Sequence, residues 1–212
     1  MLLLLSVARA ATLTVDPVDA TAHATIQAAV DAAASGDTIE IAAGTYAECV
    51  DTGGRDLSLV GTGGSGATTV DGSGLCSAAF TVDAGEIVSV TGLTVLNATN
   101  RSFRVDSSTL ELDDAVVDGN TNVGQTGLGV YAQSSTLAIS NSSFTDVSGS
   151  YYAVLYAAET DLTITDSTFS GNHAYFYAGV LYFRSQGAHT LTITAATVED
   201  NTFVGNSCLD AT

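Results

Sequence analysis

A short run of alternating apolar and polar positions, followed by a polar corner and a second apolar step, returns five times along the chain. It reads VSVTGLTV from Val88, LELDDAVV from Leu110, LAISNSSF from Leu137, LTITDSTF from Leu162 and LTITAATV from Leu191. Successive starts are 22, 27, 25 and 29 residues apart, one turn of a solenoid with loops of variable length. In an extended strand alternate side chains share a face, so Leu110 and Leu112, or Leu162 and Ile164, point the same way. One such coil cannot bury its own apolar row; a copy stacked about 4.8 Å above and below it can. The pattern therefore predicts an all-β fold, a single-stranded right-handed parallel β-helix (solenoid) of six or seven coils.

The second apolar step (Val95, Val117, Phe144, Phe169, Val198) begins another inward-facing strand after the corner. Three residues further on stand Asn120, Asn172 and Asn201. A side-chain amide carries both donors and an acceptor, so stacked asparagines at a corner can serve the backbone groups that a turn leaves unpaired. Ahead of the repeats, Ile26, Ala29, Val30 and Ala33 recur at helical spacing, Gly36-Asp37 stops the helix, and a strand follows over Thr38 to Ile41. A short amphipathic helix here predicts a lid over the open N-terminal end of the core.

Composition fits this picture: 212 residues with 21 glycines, one proline and no tryptophan suit strands joined by tight turns. Nothing marks a linker, so residues 11–212 are expected to form one β-helix domain. Residues 1–10 (MLLLLSVARA) have the short apolar run and small-x-small end of an export signal, and the run is too short to span a membrane. The competing expectation for this segment is a mis-assigned start or a strand on the first coil. The sequence stops at SCLDAT directly after a coil, which predicts a truncated end or one covered by a second copy.

Charge narrows the partners. There are 23 acidic residues against five arginines and no lysine, a net −18, so nucleic acid and anionic membranes, which need a basic footprint, are excluded as expected partners. No cofactor is expected; calcium would suit the acidity, but no EF-hand loop or glycine-aspartate nonapeptide series specifies it, and three scattered histidines supply no transition-metal site. Among Cys49, Cys76 and Cys208 the first two lie about one coil apart and form the candidate disulfide, leaving Cys208 over.

The segments Thr25-Ile26-Gln27-Ala28-Ala29-Val30, Gly36-Asp37-Thr38-Ile39, Gly44-Thr45-Tyr46-Ala47-Glu48 and Leu57-Ser58-Leu59-Val60-Gly61 to Val70-Asp71-Gly72 resemble the opening of pectin-lyase-like β-helix proteins and are similar to the first coils of pectin methylesterases. The resemblance covers residues 24 to about 72 and implies carbohydrate chemistry. Those esterases work with two aspartates, an arginine and glutamines in motifs resembling QDT, DFIFG and GRPW, none of which occurs here. Of the hydrolase and lyase motifs of the same group, only the pair Asp113-Asp114 and the stretch Arg101-Ser102-Phe103-Arg104 have counterparts. Later, Phe169-Ser170-Gly171-Asn172 and Phe203-Val204-Gly205-Asn206, with Ala178-Gly179-Val180-Leu181-Tyr182 between them, resemble the repeats of bacterial polymorphic outer-membrane proteins, which are adhesins.

The candidate catalytic carboxylates are Asp113, Asp114, Asp118 and Asp166, with Asp146 and Asp200 on later coils. Asp114 with Asp166, or Asp118 with Asp146, could supply from neighbouring coils the two carboxyls of an inverting hydrolase, and Arg104 or Arg184 the base of a lyase only with a carboxylate-bound metal to lower the barrier. Aromatics crowd residues 151–183, and Tyr151, Tyr152, Tyr175 and Tyr177 are the candidate glycan contacts. Two functions are carried forward. The first is an exported or cell-surface module with a structural, adhesive or glycan-binding role and no demonstrable catalytic site. The second is a polysaccharide lyase, esterase or hydrolase, truncated or degenerate. Expected partners are a polysaccharide or cell-surface glycan and end-to-end copies of the chain.

Overall fold

The computed structural model describes residues 9–74, 76–122, 126–149, 151, 154–175 and 179–203. Residues 1–8 of the candidate export signal, Tyr152, Tyr177 and Cys208 lie outside the described residues. The chain winds as a right-handed parallel β-helix whose strands stack into four parallel sheets of eight, seven, six and four strands, with one short N-terminal helix. One coil runs Arg101–Asp106 in the six-stranded sheet, Thr109–Asp113 in the eight-stranded, Val116–Asp118 in the seven-stranded and Thr121–Asn122 in the four-stranded.

The five sequence repeats fall into the predicted register. Leu57, Val88, Leu110, Leu137, Leu162 and Leu191 form one column in the eight-stranded sheet. Tyr46, Val70, Val95, Val117, Phe144, Phe169 and Val198 form another in the seven-stranded sheet. From Tyr46 to Phe169 this second column is buried; Val198, on the last described coil, is exposed. Phe144 and Phe169 stack at 5.0 Å, and Phe80 and Phe103 at 5.1 Å, because parallel register places like side chains over each other. Coils approach so closely at one corner that a Cβ on Gly61 would stand 2.1 Å from the Gly92 carbonyl oxygen.

Most coils turn these corners through a left-handed backbone residue, and these too form columns. Asp114, Asn141, Asp166 and Ala195 (φ 47° to 52°) sit between the eight- and seven-stranded sheets, and Ser107, Ser134 and Glu159 (φ 49° to 53°) between the six- and eight-stranded. Asparagine and aspartate tolerate this conformation better than other side chains with a Cβ. Side chains then answer the backbone groups that the corners expose. Ala98 N–H donates to Asn120 Oδ1 (2.7 Å), Val147 N–H to Asn172 Oδ1 (3.0 Å) and Asn172 N–H to Asn201 Oδ1 (2.9 Å). Asn120 and Asn172 are fully buried, and Val147 interrupts the ladder between them. Hydroxyls of Ser135 and Thr160, and of Ser142 and Ser167, play the same part at the other corners.

Helix Ile26–Ala32 closes the N-terminal end, burying Ile26, Ala29 and Val30. Thr25 caps it through Ala28 N–H, and the Glu48 carboxylate accepts the Ile26 and Gln27 N–H groups at 2.8 and 2.9 Å. Cys49, next to Glu48, is bonded to Cys76 with Cα atoms 6.2 Å apart. Asp37 fastens this end from the other side: its carboxylate accepts Ala11 N–H (2.7 Å) and Ala34 N–H (2.8 Å). Those two bonds, Ala11 first, hold the Asp37 carboxyl below its ordinary value. A depressed native pKa contributes stability above the unfolded value of about 3.9 that is lost as pH falls through the native value. Asp37→Asn is expected to be less stable than the parent at neutral pH, with the gap shrinking below about pH 4, as read by denaturant midpoints across pH.

Candidate functional site: the outer face of the six-stranded sheet

Stacking determines which outward side chains become neighbours. In the six-stranded sheet, Thr81, Arg104, Tyr131, Tyr156 and Tyr182 lie in one outward column. The phenol rings stack at 4.8 Å (1° between planes) and 5.1 Å (14°). The guanidinium of Arg101 covers the remaining side of Tyr131, 4.3 Å from its ring centre. Ring faces inside this column are therefore occupied by their neighbours. Tyr131 uses its hydroxyl to donate to Gln133 Oε1 (2.8 Å). Burial, followed by the neighbouring Tyr131 and Tyr182 phenols, pushes the Tyr156 hydroxyl pKa up, and burial lowers that of Arg101.

Two residues along from the ladder runs a second outward column, Asp106, Gln133, Ala158 and Arg184. Val105 pairs with Val82, so Asp83 lies beside Asp106 on the preceding coil. Asp106 forms an ion pair with Arg104. Three of the five arginines, Arg101, Arg104 and Arg184, thus belong to the strands of one sheet in a protein of net charge −18.

The carboxylates singled out in the sequence stand elsewhere. Asp113 ends a strand of the eight-stranded sheet and accepts Asn141 Nδ2–H (2.7 Å) and Ser140 Oγ–H (2.8 Å), bonds that hold its carboxyl below the usual range. Asp118 accepts Thr145 Oγ1–H at 2.7 Å. Asp114 occupies a left-handed corner and accepts the Ser65 hydroxyl at 2.8 Å. Asp166 occupies the equivalent corner two coils on, with Asn141 between them, so those two aspartates are not on neighbouring coils. Asp146 and Asp200 sit at a different corner, in the column of Gly119 and Gly171. Among the described residues no three His, Cys, Asp or Glu side chains are grouped to hold a metal ion. Of the candidate glycan contacts, Tyr151 and Tyr175 are exposed, and His173 meets the Tyr175 ring edge-on at 4.4 Å.

Sequence reasoning passed over Tyr131, Asp83, Asp106 and Gln133. One signal was present: GVYAQ from Gly129, VLYAA from Val154 and VLYFR from Val180 repeat at 25- and 26-residue intervals and place a tyrosine at the same step.

No protein-family model matches the sequence, and no curated protein matches it. Its fold is similar to that of solved pectin methylesterases. The rice weevil enzyme superposes with a TM-score of 0.52 over 94% of this chain and 69% of that one, at 16% identity. The Aspergillus niger enzyme, in penultimately deglycosylated form, gives 0.45 over 96% and 82%, also at 16% identity. At such identity the likeness shows the fold. No helix among the described residues is long and apolar enough to cross a membrane, and the Cys49–Cys76 bridge is of the kind that persists in oxidising, extracytoplasmic surroundings.

The corner role of the aspartates has a direct test. Asp166→Gly should leave thermal stability essentially unchanged, whereas Asp166→Val, a β-branched residue forced into the left-handed region, should cost about 1–2 kcal/mol in a denaturation curve.

Proposed function

We propose that this is an exported polysaccharide-active protein that engages an acidic polysaccharide on the outer face of the six-stranded sheet. The observation that carries the proposal is the register that sets Asp83, one residue past the Val82–Val105 pair, at the same step as Asp106 and Gln133 on consecutive coils, with Arg104 paired to Asp106. These are the residue types that the resemblance to pectin methylesterases implies, brought together without that family's motifs. One coil spacing of about 4.8 Å separates the backbones that carry the two aspartates, which lets their side chains reach one sugar linkage from neighbouring coils. One carboxyl can attack or take a proton while the other donates one. Arg104 can steady the charge that develops, and Arg101 and Arg184 supply positive charge for uronate groups along the chain. The β-helix likeness to pectin-active enzymes supports this reading, and the disulfide supports export.

A second reading, binding without turnover, draws support from the Arg104–Asp106 ion pair, which leaves that carboxylate engaged as a fixed structural charge. The deciding experiment offers the purified chain methyl-esterified and de-esterified polygalacturonate and follows methanol release and new reducing ends alongside binding. Turnover is expected, and Asp106→Asn should lower it by about 10²-fold or more while binding persists. Binding with no turnover in the parent selects the second reading; absence of both turnover and binding overturns the two together.

A further inference from the structure

Immediately beyond the Asp106–Gln133–Ala158 column the chain turns the corner into the eight-stranded sheet, and an open groove of about 350 Å³ follows that corner across successive coils. Its rim carries Ser107, Thr109, Ser134 and Thr136, and its C-terminal end carries Glu159, Asp161 and His189. The hydroxyls deeper in the corner are already used: Ser135 Oγ donates to the Gln133 carbonyl (2.7 Å) and Thr160 Oγ1 to the Ala158 carbonyl (2.9 Å). By contrast, the rim hydroxyls of Ser107, Thr109, Ser134 and Thr136 have no hydrogen-bond partner among the described residues. The two carboxylates are held in place by the following loop. Gln186 N–H reaches both Glu159 oxygens (3.0 and 2.9 Å), and Thr190 N–H reaches Asp161 Oδ1 (2.7 Å). His189 stands between them, Nε2 3.8 Å from Glu159 and Nδ1 3.7 Å from Asp161.

We propose that this groove is a second subsite of the polysaccharide-binding face and that it takes uncharged sugar units, neutral or esterified. This inference rests on the reading that the adjoining face engages a polysaccharide. Free hydroxyls on the rim can both donate to and accept from sugar hydroxyls, and fixed carboxylates are strong acceptors for them. The same carboxylates repel a uronate, since no arginine lines the groove and the one histidine between them, His189, can offset at most one of the two charges. The adjoining sheet face, with Arg101, Arg104 and Arg184, has the opposite preference. A chain lying across both is selected for acidic units on the sheet and uncharged units in the corner, so Glu159 and Asp161 determine specificity.

The test is calorimetric titration of the 212-residue chain with two galacturonan oligomers of equal length, one de-esterified and one methyl-esterified. Glu159→Gln keeps an acceptor for Gln186 N–H but removes the charge; it should raise affinity for the de-esterified oligomer by about 2- to 5-fold and leave the esterified one nearly unchanged. Ser134→Asp, tolerated at a left-handed corner, should shift the ratio the other way by a similar factor. If the parent binds the oligomers and neither variant moves the ratio, the groove is not a subsite and the inference falls alone. If the parent binds neither oligomer, the polysaccharide reading falls and takes the inference with it.

Discussion

Parallel pairing between successive coils is the constraint on which the rest of this molecule depends. Each strand hydrogen-bonds to the strand one coil away, so a residue's nearest neighbours are its counterparts on the coils above and below. Apolar counterparts become continuous core columns, from Leu57 to Leu162 and from Tyr46 to Phe169. Most corner counterparts adopt the left-handed conformation, which favours aspartate, asparagine, serine and glycine there, with Glu159 and Ala195 as exceptions in residue type. Polar groups left over at a corner are answered from the next coil, by Asn120, Asn172 and Asn201 on one edge and by serine and threonine hydroxyls on the others. Errors would propagate along such a stack, and the helix over Ile26, Ala29 and Val30 protects the end where it begins.

The same rule writes function onto the outside. Outward residues with no local relation in sequence become columns, and the six-stranded sheet carries the two with the most chemistry. One is a stack of three tyrosines headed by Arg101; the other sets Asp106 and Gln133 in line, with Arg104 paired to Asp106. In a protein of net charge −18, a face holding three of five arginines stands apart electrostatically from the rest of the surface. The strong negative charge elsewhere would keep an acidic polymer off the other faces, so repulsion and local attraction would act together to place it.

The fold was legible because it is periodic. Repeats at Val88, Leu110, Leu137, Leu162 and Leu191 name their own register, and the asparagines three residues past the second apolar step name a corner. The candidate site was not, because its members lie about a coil apart and only stacking unites them: Asp83, Asp106 and Gln133 share no motif. Carboxylates that cluster in sequence, Asp113 with Asp114 above all, drew attention instead. Their position follows from the corner, where Asp114 is the left-handed residue and Asp113 the last of its strand, bonded to Ser140 and Asn141. A dense aromatic segment drew the eye to Tyr151 and Tyr175, while Tyr131, isolated in sequence, begins the ladder.

Amide hydrogen exchange of the chain with and without de-esterified polygalacturonate tests the central claim most directly, because it locates the ligand without presupposing turnover. The account predicts protection concentrated on residues 101–106, 130–133 and 155–158, the neighbouring strands of the six-stranded sheet. Protection confined to the eight- or seven-stranded sheet, or none at saturating polymer, would contradict it.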